Sequence, residues 1–331
     1  MKMYGKQVLV TGGAGFIGSN LVRALLAKNN SVLVVDNFSV GSINNLKDVK
    51  ANKNLKVINA DILHKRTMES LTKGIDVIFH LAVVCLRVSF KDPFLVNEVN
   101  STGTLSMLWA AHKANVKKFV YCSSSEVYGT AVTAPMSEMH PLRPTTIYGA
   151  SKLQGEIYTK CFNDNFGLPT VIVRPFNTYG YHEHVSGPYG EVIPRFVIRI
   201  KNNLSPIIFG DGKQTRDFTF VTDTVVGMIM AAENDRLNGD VVNIARGHEV
   251  TINDVAKTII KQLNNEVKIT YVSPRPSDVR RHFDDITKAK KILNFMPKIS
   301  IEEGLEMYLA YLENEKIDFK TALKPVPERN W

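Results

Sequence analysis

Short apolar runs rich in Val and Ile alternate with longer amphipathic stretches through the first half of the chain. The runs at 7–11, 31–36, 55–60, 77–82, 118–123 and 170–175 have the length and β-branched content of buried strands. Between them, 15–28, 65–71, 93–114 and 146–166 place apolar residues at helical spacing. This alternation predicts an α/β architecture, a parallel sheet with helices on both faces. Right-handed crossovers make it doubly wound and put ligands at the carboxyl ends of the strands. Beyond residue 180 the pattern loosens. Helices are expected at 196–201, 223–234 and 252–263, a strand at 207–209 followed by a Gly-Asp-Gly turn, and loops at 181–191 and 274–276. The expected division is a first domain over 1–178 and a smaller mixed α/β domain over 179–331, with part of 215–245 returning to the first.

Composition narrows the function classes. Of 331 residues 44% are hydrophobic, enough for a sizeable core, and no apolar run is long enough to predict a membrane span. Residues 1–6 lack the features of a secretory signal, and Cys85, Cys122 and Cys161 are too widely spaced for a disulfide framework or a metal site, so a reducing cytoplasm is expected. The formal charge of +9 comes from scattered Lys and Arg rather than from a basic stripe interleaved with aromatics, which argues against nucleic acid as a partner.

The segment Thr11-Gly12-Gly13-Ala14-Gly15-Phe16-Ile17-Gly18 follows a strand and opens a helix. That context is what a dinucleotide site of the Rossmann type requires: Gly12, Gly15 and Gly18 allow a tight turn and close backbone approach, and the N–H groups at Phe16 and Ile17 face a pyrophosphate. Asp36 ends the second strand, 18 residues after Gly18, next to Asn37. An acidic side chain there accepts from ribose hydroxyls and repels a 2′-phosphate, which favours NAD over NADP. Asp61 and Ile62 end the third strand, where they either meet the adenine or cap the following turn.

Tyr148 and Lys152 stand at i and i+4 on one helix face. An ammonium beside a phenol favours the phenolate and draws its pKa down from about 10, which suits a base that removes a hydroxyl proton while hydride leaves the same carbon. Upstream, Ser123-Ser124-Ser125-Glu126-Val127-Tyr128-Gly129 closes an apolar strand, so its hydroxyls and the Glu126 carboxylate fall where the fold places chemistry. Cys85 follows Val83-Val84 and reads as a pocket-lining or small core residue. His182 and His184 read as proton donors or solvated loop residues.

Taken together, the glycine turn, Asp36, the Ser-Ser-Ser-Glu-Val-Tyr-Gly segment, Tyr148-x-x-x-Lys152 and Arg174-Pro175-Phe176-Asn177-x-Tyr179-Gly180 resemble the extended short-chain dehydrogenase/reductases that modify nucleotide sugars. The resemblance implies bound NAD, transient oxidation at C4 of a hexose and a homodimer built on a four-helix bundle, here from 93–114 and 146–166. It implies that Tyr148 is the base, that Lys152 tunes it, that Ser124 bonds the reacting hydroxyl and that Leu81-Ala82 pass beneath the nicotinamide ribose. Asn177, Val192, Arg216 and Arg280 would contact the substrate, the arginines through its diphosphate. Glucose dehydratases of the family carry Asp then Glu where this chain has Ser125 then Glu126, so the C5 base is kept and the acid is missing. The surrounding text is similar to UDP-N-acetylglucosamine dehydratases, which form a 4-keto-6-deoxy sugar or a 5,6-ene. A UDP-glucuronate decarboxylase, a UDP-sugar 4-epimerase and a non-catalytic sensor of NAD or nucleotide sugar remain alternatives.

Overall fold

The computed structural model describes residues 1–185, 190–275 and 279–324. The loops expected at 181–191 and 274–276, and the Pro276-Ser277-Asp278 part of the segment before Arg280, fall partly outside the described residues.

Strands β1 (Gln7–Thr11), β2 (Ser31–Asp36), β3 (Leu55–Asn59), β4 (Val77–His80), β5 (Lys118–Cys122) and β6 (Thr170–Pro175) form the sheet the alternation predicts. All are parallel, in spatial order β3-β2-β1-β4-β5-β6, so the order reverses between β1 and β4. Successive side chains of a strand point to opposite faces. Val8 and Val10 of β1 pack beneath α1 (Phe16–Ala27), while Leu9 between them packs on the other face with Leu108 and Phe162. α2 (Lys65–Leu71) lies on that second face through Met68.

The helix expected at 93–114 is broken. It runs as α3 (Pro93–Asn97), a π-helical turn over Glu98–Gly103, and α4 (Thr104–Lys113). The cause is a buried amide: Asn100 accepts from Val84 N at 2.8 Å, donates to Val84 O at 3.0 Å and to Ser151 Oγ at 3.1 Å. A buried amide must find such partners, and the local widening of the helix aims it at the strand β4 loop. α5 (Ile147–Phe166) is capped by Thr146, whose hydroxyl accepts from Gly149 N, and is stopped by Gly167 at φ 67°.

The second half starts with β7 (Thr178–Tyr179), α6 (Val192–Lys201), β8 (Ile207–Phe209), β9 (Thr215–Arg216), β10 (Thr219–Phe220) and α7 (Val221–Glu233). β11 (Asp240–Ile244) then pairs with β6 as the seventh parallel strand of the main sheet, and α7 packs beside α1 on the first face. The chain leaves again through β12 (Val250–Thr251), α8 (Ile252–Gln262), β13 (Thr270–Val272), β14 (Arg281–His282), α9 (Ile301–Asn314) and α10 (Phe319–Leu323). A separate apolar cluster unites α6, α8 and α9 around Phe196, Val255 and Leu305. Short sheets β8–β13 and β9–β12–β14 close this smaller layer over the carboxyl ends of the main strands.

One buried ion pair joins the sheet to α5. Arg174 donates from Nε to Glu156 Oε1 at 2.8 Å and from Nη2 to Oε2 at 2.5 Å, and both side chains are almost fully buried. Ser123 Oγ also donates to Glu156 Oε1, and Arg174 Nη1 donates to the Tyr128 hydroxyl at 2.8 Å. Removing one partner strands the other charge in a low-dielectric interior. Glu156→Gln is therefore expected to cost about 3–5 kcal/mol, read as a lowered midpoint in guanidinium unfolding. A midpoint equal to that of the parent protein would refute this.

Candidate active site

The carboxyl ends of β1, β2, β4, β5 and β6 open into one cavity of about 960 Å³, at the point where the strand order reverses. Its wall includes Gly12, Gly15, Phe16, Ile17, Gly18, Asp36, Asn37, Asp61, Ile62, Leu81, Ala82, Ser124, Ser125, Glu126, Tyr148, Lys152, Asn177, Val192 and Arg216. Those residues are scattered over 205 positions (216 minus 12, plus one) and the fold brings them together. Arg280 is the exception: its exposed guanidinium spans Asp211 through bonds of 2.7 and 3.1 Å, and it is not part of the described wall.

At one end of the cavity, Gly12 adopts φ 66°, and a Cβ there would meet Ala82 N at 2.8 Å. A Cβ at Gly18 would strike the Gly12 carbonyl. The absence of side chains lets α1 start against the β1 turn, with Gly15 at its N-cap and no side chain capping its first N–H groups. Such a bare helix start, backed by glycine, fits a pyrophosphate. Asp36 sits at the tip of β2, where its oxygens accept from Ala14 N and Phe38 N, both at 2.9 Å. Burial pushes its carboxyl up and these two N–H groups pull it down. Each carboxylate oxygen keeps a second lone pair, as a ribose contact needs. Asp61 lines the cavity and caps its own turn, accepting from Leu63 N at 2.9 Å; it also accepts from Asn37 Nδ2 at 2.8 Å.

Further along, β5 ends in a 3-10 turn over Ser125–Val127. Ser124 precedes it and accepts from Glu126 N at 3.2 Å. This tight turn brings the Ser124 hydroxyl to Tyr148 and leaves Glu126 half-buried in the same wall. The electrostatics of the pair differ from the simple expectation. Burial pushes the Tyr148 phenol above its ordinary range; the Ser124 hydroxyl pulls it down, and Cys122, Glu126 and Cys85 push it up. Lys152 Nζ donates to the Cys122 carbonyl at 2.5 Å and lies 4.6 Å from the centre of the Tyr121 ring, instead of acting as the phenol's main partner. Burial lowers its own pKa to about 8. The shared helix face is real, but in this protein the lysine is anchored by a backbone oxygen and a ring, and the serine is the tyrosine's closest support.

Cys85 lines the cavity beside these groups, and burial holds its thiol up. His184 lines it as well, whereas His182 turns away and its Nδ1 meets the Tyr311 hydroxyl at 2.9 Å. The wall also includes charged residues that the sequence reading did not single out as site residues. Arg87 grips both oxygens of Glu191 at 2.8 and 2.7 Å, and Glu183 is buried after β7. Glu156, by contrast, could have been found: Tyr148, Lys152 and Glu156 are spaced i, i+4, i+8 on one face of α5. Among the described residues no group of three or more His, Cys, Asp or Glu is arranged to hold a metal ion.

The sequence profile of the family described as GDP-mannose 4,6 dehydratase matches residues 9–308. A protein described as a putative UDP-glucose 4-epimerase of Methanocaldococcus jannaschii is 36% identical over 310 residues, covering 93% of this chain and 98% of that one. A UDP-N-acetyl-alpha-D-glucosaminuronate decarboxylase of Bacillus cytotoxicus is 35% identical over 317 residues, covering 91% and 96%. The crystal structure of a UDP-glucuronic acid 4-epimerase from Bacillus cereus, in complex with UDP-glucuronic acid and NAD, superposes with a TM-score of 0.85 at 31% identity over 93% of this chain and 99% of that one. With a glycine cradle that fits NAD and relatives that span nearly the whole chain, the protein belongs to the NAD-dependent nucleotide-sugar epimerase and dehydratase family of extended short-chain dehydrogenase/reductases.

Proposed function

We propose that the chain is a dehydratase of a UDP-hexose, UDP-N-acetylglucosamine in the first instance. The observation that carries this reading is Glu126: a carboxylate in the cavity wall, on the turn whose Ser124 hydroxyl meets Tyr148. An enzyme that only inverts C4 has no work for a carboxylate there, whereas loss of the C6 hydroxyl needs a base for the C5 proton. The UDP part rests on the relatives, which are described by their UDP-sugars.

NAD, held by Gly12, Gly15, Phe16, Ile17, Gly18, Asp36, Asn37, Asp61, Ile62, Leu81 and Ala82, supplies when bound a hydride acceptor and a positive charge beside the phenol. Tyr148 takes the C4 hydroxyl proton, and Ser124 donates a hydrogen bond that steadies its oxygen. Lys152, fixed by the Cys122 carbonyl, keeps a cation behind the phenol. With a ketone at C4 the C5 proton becomes acidic, and Glu126 removes it. Ser125 orients the sugar hydroxyls. Asn177, Val192 and Arg216 hold the diphosphate end; Arg216 is braced there by the carbonyls of Thr215 and Val279, each at 2.8 Å. Arg280 joins them only after leaving Asp211. The product is a 5,6-ene or a 4-keto-6-deoxy sugar, according to whether hydride returns to C4 or C6.

A second reading, decarboxylation of a UDP-uronate, is favoured by Arg87 and Arg195 in the cavity wall, cations that a C5 carboxylate would seek. Mass spectrometry after incubation with UDP-N-acetylglucosamine and with the matching uronate separates the two. The expected result is loss of water from the first; loss of carbon dioxide from the second alone would favour decarboxylation, and an unchanged mass with both would leave a 4-epimerase. Glu126→Gln is expected to lower kcat by about 10²–10⁴-fold, the usual worth of a positioned base; undiminished turnover would remove the assignment.

The same reading extends to a homodimer. α4 and α5 pack side by side and leave Leu105, Trp109, Ile157 and Phe166 well exposed, with Phe94 85% exposed on α3. Exposed apolar side chains of this size on a packed helix pair suit a contact surface. Light scattering is expected to give twice the chain mass, and Trp109→Glu with Ile157→Glu is expected to give the single chain. A parent protein that scatters as a monomer would refute the dimer.

A further inference from the structure

Sequence comparison leaves the elimination without an acid, because Ser125 stands where an Asp is expected. Ser125 is buried, and its carbonyl faces His282 Nε2 at 3.3 Å. His184 is held below its ordinary value by burial, so it carries little proton to give near neutral pH. The Cys85 thiol is a weak donor.

Glu183 differs from all of these. It follows β7, lines the same cavity as Tyr148, Ser124 and Glu126, and is 6% exposed. Its Oε2 is fixed, accepting from Gly180 N at 3.2 Å, while Oε1 has no hydrogen-bond partner among the described residues. The nearest cation is already engaged: Arg87 binds Glu191 with two nitrogens. A buried carboxyl with no ion-pair partner holds its proton, and burial pushes Glu183 well above the ordinary carboxylate range. A protonated carboxyl offers one O–H donor, and a donor lodged in a cavity wall requires an acceptor.

We propose that Glu183 is the catalytic acid that protonates the departing C6 hydroxyl, its acceptor being the substrate itself. This rests on the dehydratase reading above. Glu126 first takes the C5 proton, and the C5–H electron pair passes into the C4 enolate. That pair then forms the C5=C6 double bond as the C4 ketone is restored; the C6–O bond breaks, its electrons go to oxygen, and the Glu183 proton completes water. Glu126 ends protonated and Glu183 ends as a carboxylate; exchange with solvent restores both.

The test compares the parent protein, Glu183→Gln and Glu126→Gln, each with UDP-N-acetylglucosamine in D2O. Product mass reports water loss, and deuterium at C5 of recovered substrate reports C4 oxidation with C5 deprotonation. Glu183→Gln keeps size and hydrogen bonding but has no proton to give. It is expected to lose dehydration by about 100-fold or more in kcat, with KM little changed and C5 deuteration retained. Glu126→Gln is expected to lose both signals. Dehydration by Glu183→Gln at near the parent rate overturns the acid. Loss of C5 deuteration together with dehydration in Glu183→Gln also overturns it, since that is the signature of a structural role. A parent protein that removes no water overturns the dehydratase reading instead, and is recognised before either variant is measured.

Discussion

The buried Arg174–Glu156 pair is the constraint on which the site depends. It draws the end of β6 to the middle of α5, and through Ser123 and Tyr128 it ties both to the serine turn after β5. Glu156 lies one helical turn beyond Lys152 and two beyond Tyr148, so the ion pair sets the rotation of α5 about its axis. An α5 rotated by one residue would swing Tyr148 by about 100° away from Ser124. Burying two charges is a poor way to gain stability. It is a good way to exclude other registers, because every misplacement leaves a charge unpaired.

The same helix shows why a pairwise reading of Tyr148 and Lys152 is incomplete. Proximity on a helix face suggests that the ammonium acidifies the phenol directly. In the folded chain Lys152 is buried and Tyr148 half-buried against the cavity wall, and desolvation dominates each: it raises the phenol and lowers the amine. The protein's own residues therefore hold Tyr148 protonated, with Ser124 as the chief counterweight.

The sheet and its glycine turn were legible because they rest on local rules: short β-branched runs, amphipathic periods, and a glycine-rich strand-to-helix turn. The break of the helix near Asn100 was not, because its cause is a bond to Val84, a residue 16 positions away in another element. The return of β11 to the sheet was anticipated only as a possibility within 215–245, since Asp240–Ile244 looks like any short apolar strand until β6 offers it an edge. Tyr148, Lys152, Ser124 and Glu126 were proposed from spacing and resemblance, and the fold gathers them in one cavity wall. Arg280 was placed at the substrate by resemblance; its guanidinium bonds the exposed Asp211, and it is outside the described wall. Arg87 gave no signal, and Glu183 and Glu191 only that of a polar loop, because nothing in a sequence reports which of several charged residues face a cavity.

Loss of solvent is also what separates the two carboxyls the proposed chemistry needs. Glu126 stands half-buried on a turn at the mouth of β5, open to the cavity. Glu183 is folded beneath the loop after β7, with one oxygen spent on a backbone N–H and the neighbouring arginine claimed by Glu191. Two identical functional groups facing one cavity can take opposite roles when their surroundings differ in this way. The proposed base stands on the turn after β5, and the proposed acid on the segment after β7. The requirement on the fold is only that both segments reach one cavity, and its wall includes residues of each.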